Sequence, residues 1–151
     1  MGRHVLQREI VLPRPLPEVF AFFADAANLE LITPAFLRFQ ILSPLPIEMK
    51  AGALIDYRIA LGGLPMRWRT VIETFEPGVQ FVDVQARGPY KLWRHTHRFI
   101  AEGDATRMID EVEYDVGFGP LGELARRLFV SNTVEKIFDH RTQIMQQLFG
   151  R

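Results

Sequence analysis

The chain has 151 residues, of which 48% are apolar and 24% are charged, values typical of one folded domain with a hydrophobic core. Its 18 basic residues balance 18 acidic residues, which argues against nucleic-acid binding through phosphate contacts and against a polybasic membrane anchor. The sequence contains no cysteine, and this excludes disulfides, thiol catalysis and thiolate metal sites.

No segment has the pattern of a targeting sequence or a membrane span. The N-terminal segment MGRHVLQREIVL carries charges where a signal peptide has an apolar run. The most apolar window, residues 19–39, contains Asp25, Glu30 and Arg38, which a bilayer-spanning helix would not tolerate. No repeat or linker divides the chain. We therefore expect a single domain over residues 1–151 in a cytoplasmic protein.

The N-terminal part predicts a strand followed by two short helices. Residues 4–12 are predicted as the strand, which Pro13, Pro15 and Pro17 end. Asn28 is placed to cap the second, shorter helix, which ends before Pro34. Apolar residues recur at helical spacing in the first helix, at Val19, Phe20, Phe22, Phe23 and Ala26.

From residue 37 onward, apolar and polar residues alternate, which indicates β-strands. A first short strand is predicted at Leu37, Phe39 and Ile41. Turn sequences then separate five further strands, at residues 62–63, 77–78, 88–90 and 103–104. The residues predicted on the inner face are Ile55, Tyr57, Ile59, Leu61, Met66, Trp68, Thr70, Ile72, Thr74, Phe81, Asp83, Gln85, Trp93, His95, His97, Phe99, Met108, Asp110, Val112, Tyr114 and Val116.

The C-terminal part predicts one helix over residues 120–149, about thirty residues long. Its apolar stripe falters at residues 131–133 and consists of Leu121, Leu124, Leu128, Ile137, Phe138, Ile144, Met145 and Leu148. A sheet with one apolar face needs a cover, and this helix is the predicted element large enough to supply it. The fold class is therefore α+β, with a cleft between the sheet, the long helix and the short helices.

This order of elements resembles the helix-grip fold of the START-like, or SRPBCC, superfamily. The segments PEVFAFFADAANLELITP, GPYKLWRHTHRF and DEVEYDVGFGPLG carry the resemblance, which covers the whole chain. It implies a seven-stranded antiparallel sheet wrapped around a long C-terminal helix, with two short helices between strands 1 and 2. The superfamily includes polyketide cyclase/dehydrase-like proteins, coenzyme Q-binding proteins and lipid-transfer domains. Since one scaffold hosts binding, transfer and catalysis, the resemblance leaves the function open.

The turn lengths predict the register of the sheet, and that register gathers polar residues among the aromatic ones. Imidazole and carboxylate groups on an inner face need hydrogen-bond partners, and a carboxylate opposite each imidazole would supply them. The predicted cross-strand pairs are His97 with Asp110, His95 with Val112, Trp93 with Tyr114, Asp83 with His95, Gln85 with Trp93, and Tyr57 with Trp68.

Three interpretations of the polar cluster compete. It can be a structural network that ties three strands together and orients the polar end of a ligand, since perturbed ionisable clusters are often only structural. It can perform acid/base catalysis, since an imidazole oriented by a carboxylate can remove a proton next to a carbonyl. It can bind a metal, because His-x-His places two imidazoles on one face. That last signal is weak, and we expect no metal and no cofactor.

We therefore expect the chain to bind a small, mostly apolar molecule (a lipid, a quinone or a polyketide-like compound) between the sheet and the C-terminal helix. The apolar contacts would come from Tyr57, Trp68, Trp93 and Tyr114, and the polar contacts from Asp83, Gln85, His95, His97 and Asp110. The loop at residues 43–52 and the short helices would close a pocket of several hundred Å³, roughly the usual size of ligand sites.

The alternative function is a cyclase or dehydratase acting on a polyketide-like carbonyl compound. In that case His95 or His97 would be the base, and Asp83 or Asp110 would orient it. A protein-interaction module is a third class, which the mixed charges predicted on the outer sheet face do not favour. Sequence patterns alone leave the ligand, the chemistry and the oligomeric state open.

Overall fold

The computed structural model describes residues 3–150 and contains one antiparallel sheet. Its strand order is β1-β7-β6-β5-β4-β3-β2, so strands β2 to β7 form a meander and β1 pairs with β7. The α+β helix-grip architecture predicted from the sequence is confirmed. The strands are β1 (Arg3–Leu12), β2 (Gln40–Ile41), β3 (Leu54–Leu61), β4 (Leu64–Glu76), β5 (Gln80–Arg87), β6 (Leu92–Glu102) and β7 (Ala105–Asp115).

Two short helices connect β1 to β2, as predicted, and a long helix follows β7. The short helices are α1 (Leu16–Phe23) and α2 (Leu29–Ile32), with 3-10 turns at Ala26–Asn28 and Ala35–Leu37. The C-terminal helix runs from α3 (Gly119–Ala125) through a π-helical turn (Arg126–Val130) into α4 (Ser131–Phe149). No helix within residues 3–150 is both long and apolar enough to cross a bilayer.

Two predicted details of the helices and of β2 are wrong. Asn28 does precede α2, but its side-chain amide donates to the carbonyl oxygen of Phe22 at 2.9 Å and does not cap the helix. The predicted strand at residues 37–41 is reduced to β2, because Leu37 lies in a 3-10 turn. Arg38 then adopts a left-handed conformation with a φ of 48°, which is incompatible with a continuous strand.

The register predicted from the turns is confirmed for five of the six pairs. The exception is Gln85 with Trp93, because the β5–β6 ladder ends at Val84 and Arg94. The amide of Gln85 instead holds the following turn: it donates to the carbonyl oxygen of Tyr90 at 2.6 Å and accepts from the Tyr90 N–H at 3.1 Å.

A register shift in β4 changes which residue of that strand faces inward. The shift lies between Ile72 and Thr74, and an extra residue in a strand moves the following side chains to the other face. Phe75 therefore pairs with Phe81 and packs against the core. The prediction that Thr74 occupies the inner face is wrong for this reason.

The core lies between the inner face of the sheet and the helices. On α4, the buried residues are Val134, Phe138, Arg141, Met145 and Phe149. Four residues of the predicted apolar stripe do not contribute, since Leu121, Leu124 and Leu128 at its N-terminal end and Leu148 near its C-terminal end are exposed. The π-helical turn between α3 and α4 changes the helical phase, so residues on one predicted stripe lie on different faces.

Candidate functional site

A pocket of about 150 Å³ is bounded by the inner face of the sheet, the short helices and α4. The lining includes Met49 of the predicted lid loop, Ala26 of the 3-10 turn before α2, and Leu29 and Ile32 of α2. The volume is smaller than the several hundred Å³ that we expected. Aromatic rings that pack on one another occupy part of the expected space. The ring centroids of Trp93 and Trp68 lie 5.4 Å apart in an edge-on arrangement, and those of Tyr90 and Trp93 lie 5.0 Å apart.

Six of the nine predicted site residues line this pocket, namely Tyr57, Trp68, Asp83, Trp93, His95 and His97. The other three lie elsewhere. Asp110 is buried and hydrogen-bonded to His95. Gln85 holds the turn before β6, and Tyr114 packs in a separate apolar cluster with Val134 and Phe138.

The polar atoms of two pocket aromatics are paired with a threonine that the sequence reading did not single out. The indole N–H of Trp68 donates to Oγ1 of Thr70 at 3.1 Å, and the hydroxyl of Tyr57 lies at the same distance from that oxygen. Burial raises the pKa of Tyr57 above its ordinary value. These rings therefore present their apolar faces to the pocket.

The imidazoles and carboxylates are brought together, but their closest hydrogen bonds are diagonal. Nε2 of His95 donates to Oδ1 of Asp110 at 2.8 Å, and Nε2 of His97 donates to Oδ2 of Asp83 at 2.6 Å. The directly opposite pairs are longer, with Nδ1 of His97 3.4 Å from Asp110 and Nδ1 of His95 3.9 Å from Asp83.

The expectation that each His bonds to the carboxylate straight across the sheet is therefore corrected. Side chains lean along their strand, and a long side chain can reach the diagonal neighbour on the next strand. The two imidazoles stack on each other with a centroid distance of 3.6 Å. Each ring thus lies within reach of both carboxylates.

Arg141 of α4 completes this cluster, and the sequence reading missed it. It is only 6% exposed and lines the pocket. Its Nη2 lies 3.2 Å from Nδ1 of His97 and 3.4 Å from Oδ1 of Asp110, and its guanidinium lies over the ring of Phe23 at 5.2 Å. The signal was present, because Arg141 is three residues after Phe138 and four before Met145, at the spacing of a buried stripe.

Burial and charge pairing perturb the pKa values of all four groups on the strands. Burial, reinforced by the charge of His97, lowers the pKa of His95 to about 4. Burial also acts to lower the pKa of His97, but hydrogen bonds to Asp110 and Asp83 outweigh it and hold that pKa above its ordinary value.

The two carboxyl groups stay ionised although they are buried. Burial acts to raise the pKa of Asp110, but the charge of Arg141 and the two imidazoles hold it well below its usual range. Burial similarly opposes ionisation of Asp83, but its hydrogen bond to His97 lowers the pKa of that group. The site therefore holds two imidazoles between the ionised carboxylates of Asp83 and Asp110. The imidazole of His95 is neutral, and that of His97 is the more basic of the two.

The cluster also has the composition of a metal site. Asp83, His95 and His97 bring one ligand atom each within 4.8 Å of one another, and two imidazoles with one carboxylate can bind divalent iron. The Arg141 guanidinium 3.2 Å from His97 places a positive charge beside that set. Asp83 and His97 also satisfy each other directly. The expectation of no bound metal stays a prediction.

Comparisons with known proteins agree with this architecture. Residues 12–140 match the model of a family described as polyketide cyclase / dehydrase and lipid transport. Comparison with curated protein sequences gives no match.

Solved structures similar to this chain include three with high coverage. The Zhui aromatase/cyclase from Streptomyces sp. R1128 has a TM-score of 0.76 and 12% identity, covering 96% of this chain and 93% of that one. Protein CV1439 from Chromobacterium violaceum has a TM-score of 0.74 and 12% identity, covering 97% of both. Major latex-like protein 151 from Panax ginseng has a TM-score of 0.66 and 12% identity, covering 99% of both. At these identities the likeness concerns the fold.

Proposed function

The chain belongs to the polyketide cyclase / dehydrase and lipid transport family, and from this premise we propose that it binds a small, mostly apolar molecule in the pocket beneath α4. The observation that supports this most is the pocket wall. It combines Trp68, Trp93 and apolar side chains with one polar cluster around His95 and His97, which is the usual composition of a ligand site.

The pocket volume limits the size of ligand that can bind without movement of the protein. A cavity of about 150 Å³ in another protein holds benzene, and the pocket here has that volume. A molecule with one ring and a short substituent fits this space, whereas a lipid acyl chain needs the lid loop and the short helices to move. We therefore place compact aromatic or polyketide-like molecules ahead of long-chain lipids.

Thermal denaturation with toluene as the probe tests the proposal. Ligand that binds only the folded protein raises the melting temperature as its concentration exceeds the dissociation constant. Ile137 lines the pocket. The larger side chain in Ile137→Trp should fill the pocket and abolish the toluene-induced rise in melting temperature. The control Leu148→Trp places the same side chain at an exposed position of α4 and should preserve the shift. Equal shifts in both variants would show that toluene binds outside the pocket.

A second candidate function is a cyclase or dehydratase acting on a polyketide-like carbonyl compound. The observation that favours it is the His95–Asp110 pair: with Nε2 donating to Asp110, Nδ1 carries the lone pair and can accept a proton. However, a general base works best with a pKa near the working pH, and burial lowers the pKa of His95 to about 4. We therefore rank ligand binding ahead of catalysis as the proposed function.

Native mass spectrometry of the purified protein, with solvent extraction of copurifying molecules, separates these functions. A bound apolar molecule that is recovered unchanged after prolonged incubation supports binding. Conversion of a polyketide-like ketone at a rate that falls in His95→Gln, with the fold intact, would instead support catalysis.

A further inference from the structure

The carboxylate of Asp83 has one oxygen that the protein leaves without a hydrogen bond. Its Oδ2 accepts from Nε2 of His97 at 2.6 Å, whereas Oδ1 has no partner within residues 3–150. The carboxyl group is ionised, because its hydrogen bond to His97 outweighs the effect of burial and lowers its pKa. An ionised carboxylate only accepts hydrogen bonds, so Oδ1 is an acceptor that lacks a donor.

This free oxygen is open to the pocket. The Asp83 side chain lines the pocket and is 19% exposed. Since β5 is paired with β4 on one side and β6 on the other, an inner-face residue of β5 is exposed only on the side of the helices and the pocket. Within residues 3–150, no oxygen of Asp83 is both sealed from solvent and unpaired. Oδ1 is unpaired, and it is therefore within reach of an atom the size of water.

The charges around Asp83 favour a donor that is itself uncharged. Asp83 and Asp110 are negative and Arg141 is positive, and the pKa of His97 is held above its ordinary value. With His97 protonated these charges cancel, so a cationic ligand adds a buried charge without a partner, which is far more costly than a buried neutral polar group. With His97 neutral, a cation must compete with the proton that this imidazole binds. A hydroxyl group meets neither obstacle.

We propose that Asp83 selects ligands that carry a hydroxyl group on a compact apolar body, such as a phenol or an aromatic alcohol, over ethers and hydrocarbons of the same shape. This inference rests on the proposed ligand-binding function. The hydroxyl group donates to Oδ1 of Asp83, and the apolar body contacts Trp68 and Trp93, which line the same pocket.

Three ligands of nearly one shape test the proposal. Benzyl alcohol, anisole and ethylbenzene each carry a benzene ring with a short unbranched substituent. The alcohol can donate and accept a hydrogen bond, anisole can only accept, and ethylbenzene can do neither. Their dissociation constants are measured by calorimetry for the wild type and for Asp83→Asn. Because the three ligands leave water with different ease, the quantity compared is the change in their affinity ratio between the two proteins, in which that difference cancels.

Asp83→Asn keeps the shape of the side chain but reverses the polarity of the free atom. The amide oxygen must accept from Nε2 of His97, as Oδ2 of Asp83 does, so the amide nitrogen takes the position of Oδ1 and presents a donor. We expect the affinity of benzyl alcohol relative to anisole to fall about tenfold, the typical effect of one hydrogen bond to a charged group. The matched control Ile137→Val removes one apolar methyl group from the pocket wall and should leave this ratio unchanged.

Nuclear magnetic resonance of the wild type provides a second measurement, which does not depend on whether Asp83→Asn folds. Benzyl alcohol should shift the carboxyl carbon resonance of Asp83 more than anisole or ethylbenzene does, because only the alcohol donates to this group. Benzylammonium has the shape of benzyl alcohol and a positive charge, and it should bind the wild type more weakly than the alcohol.

The inference would be overturned by equal carboxyl shifts with all three ligands, by an unchanged affinity ratio in Asp83→Asn, or by tighter binding of benzylammonium than of benzyl alcohol. If the ligands bind but one of these results is found, the proposed function stands and the inference alone fails. If none of benzyl alcohol, anisole and ethylbenzene binds, both fail.

Discussion

The ion pair between Arg141 and Asp110 should couple these residues strongly in folding. Their side chains are 7% and 3% exposed, and their closest atoms are 3.4 Å apart. Removing one partner of a buried pair leaves the other charge without compensation, at a cost of about 3–5 kcal/mol. We therefore expect Arg141→Met alone, and Asp110→Asn alone, each to lower the free energy of unfolding by about that amount.

The double variant should be no less stable than either single variant. It contains no unpaired buried charge from this pair, and the asparagine introduced at position 110 keeps a side-chain oxygen that can accept from Nε2 of His95, as the carboxylate does at 2.8 Å. The loss in the double variant should thus fall about 3 kcal/mol or more short of the sum of the two single losses. Urea denaturation at pH 7 measures the four free energies of unfolding.

An exposed ion pair of better geometry serves as the control. Arg69 donates to both carboxylate oxygens of Asp56, at 2.8 and 3.2 Å, but these side chains are 41% and 38% exposed. Arg69→Met should therefore lower the free energy of unfolding far less than Arg141→Met does. The reasoning that burial makes the Arg141–Asp110 pair important for stability would be refuted by either of two results. One is that the stability losses of Arg141→Met and Asp110→Asn add up in the double variant. The other is that Arg69→Met loses as much stability as Arg141→Met.

Three further predictions concern the pH dependence of stability, the absence of a bound metal and the close backbone packing at Gly122. The pKa of His95 is lowered to about 4 from an ordinary 6.5, so between these pH values the unfolded chain binds a proton at His95 and the folded chain does not. The free energy of unfolding should therefore decrease as the pH falls from 6.5 to 4, by at most roughly 3 kcal/mol. Urea titrations at several pH values should show that His95→Gln removes this pH dependence. The raised pKa of His97 contributes stability that is fully present below pH 6.5 and lost only as pH rises through its folded pKa, so it adds no slope in this window. Elemental analysis of protein purified without chelators or a metal-affinity tag should find no stoichiometric metal, because Arg141 lies beside the candidate ligands; zinc or iron that is lost in His95→Ala would contradict this. A Cβ at position 122 would clash with the backbone carbonyl oxygen of Gly117, so Gly122→Ala should destabilise the protein by about 1–3 kcal/mol. An unchanged melting curve would show that α3 can shift to relieve the clash.

The sheet could be predicted because its register follows from local turns. The two-residue turn at Gly103-Asp104 places His97 opposite Asp110, as the structure has it. The diagonal hydrogen bonds could not be predicted, since they depend on side-chain rotamers and on the stacking of the two imidazoles. Backbone pairing limits which groups can meet, but it does not decide which of them bond.

Arg141 and Phe75 were missed for different physical reasons. Arg141 lies on a helical stripe of buried residues, but a charged residue there is normally excluded from a predicted core. Its burial is made acceptable by partners that are distant in sequence, His97 on β6 and Asp110 on β7. Phe75 faces inward because of a register shift between Ile72 and Thr74. Strict alternation cannot anticipate such a shift.

The diagonal hydrogen bonds also protect the sheet against sliding. A slip of β6 by two residues would keep its inner side chains facing inward, so apolar patterning alone opposes it weakly. A slip in one direction would place His97 opposite Asp83 but move Phe99 opposite Asp110. The reverse slip would place His95 opposite Asp110 but move Trp93 opposite Asp83. Either way one buried carboxylate loses its imidazole, so the two crossed bonds of β6 specify a single alignment of three strands.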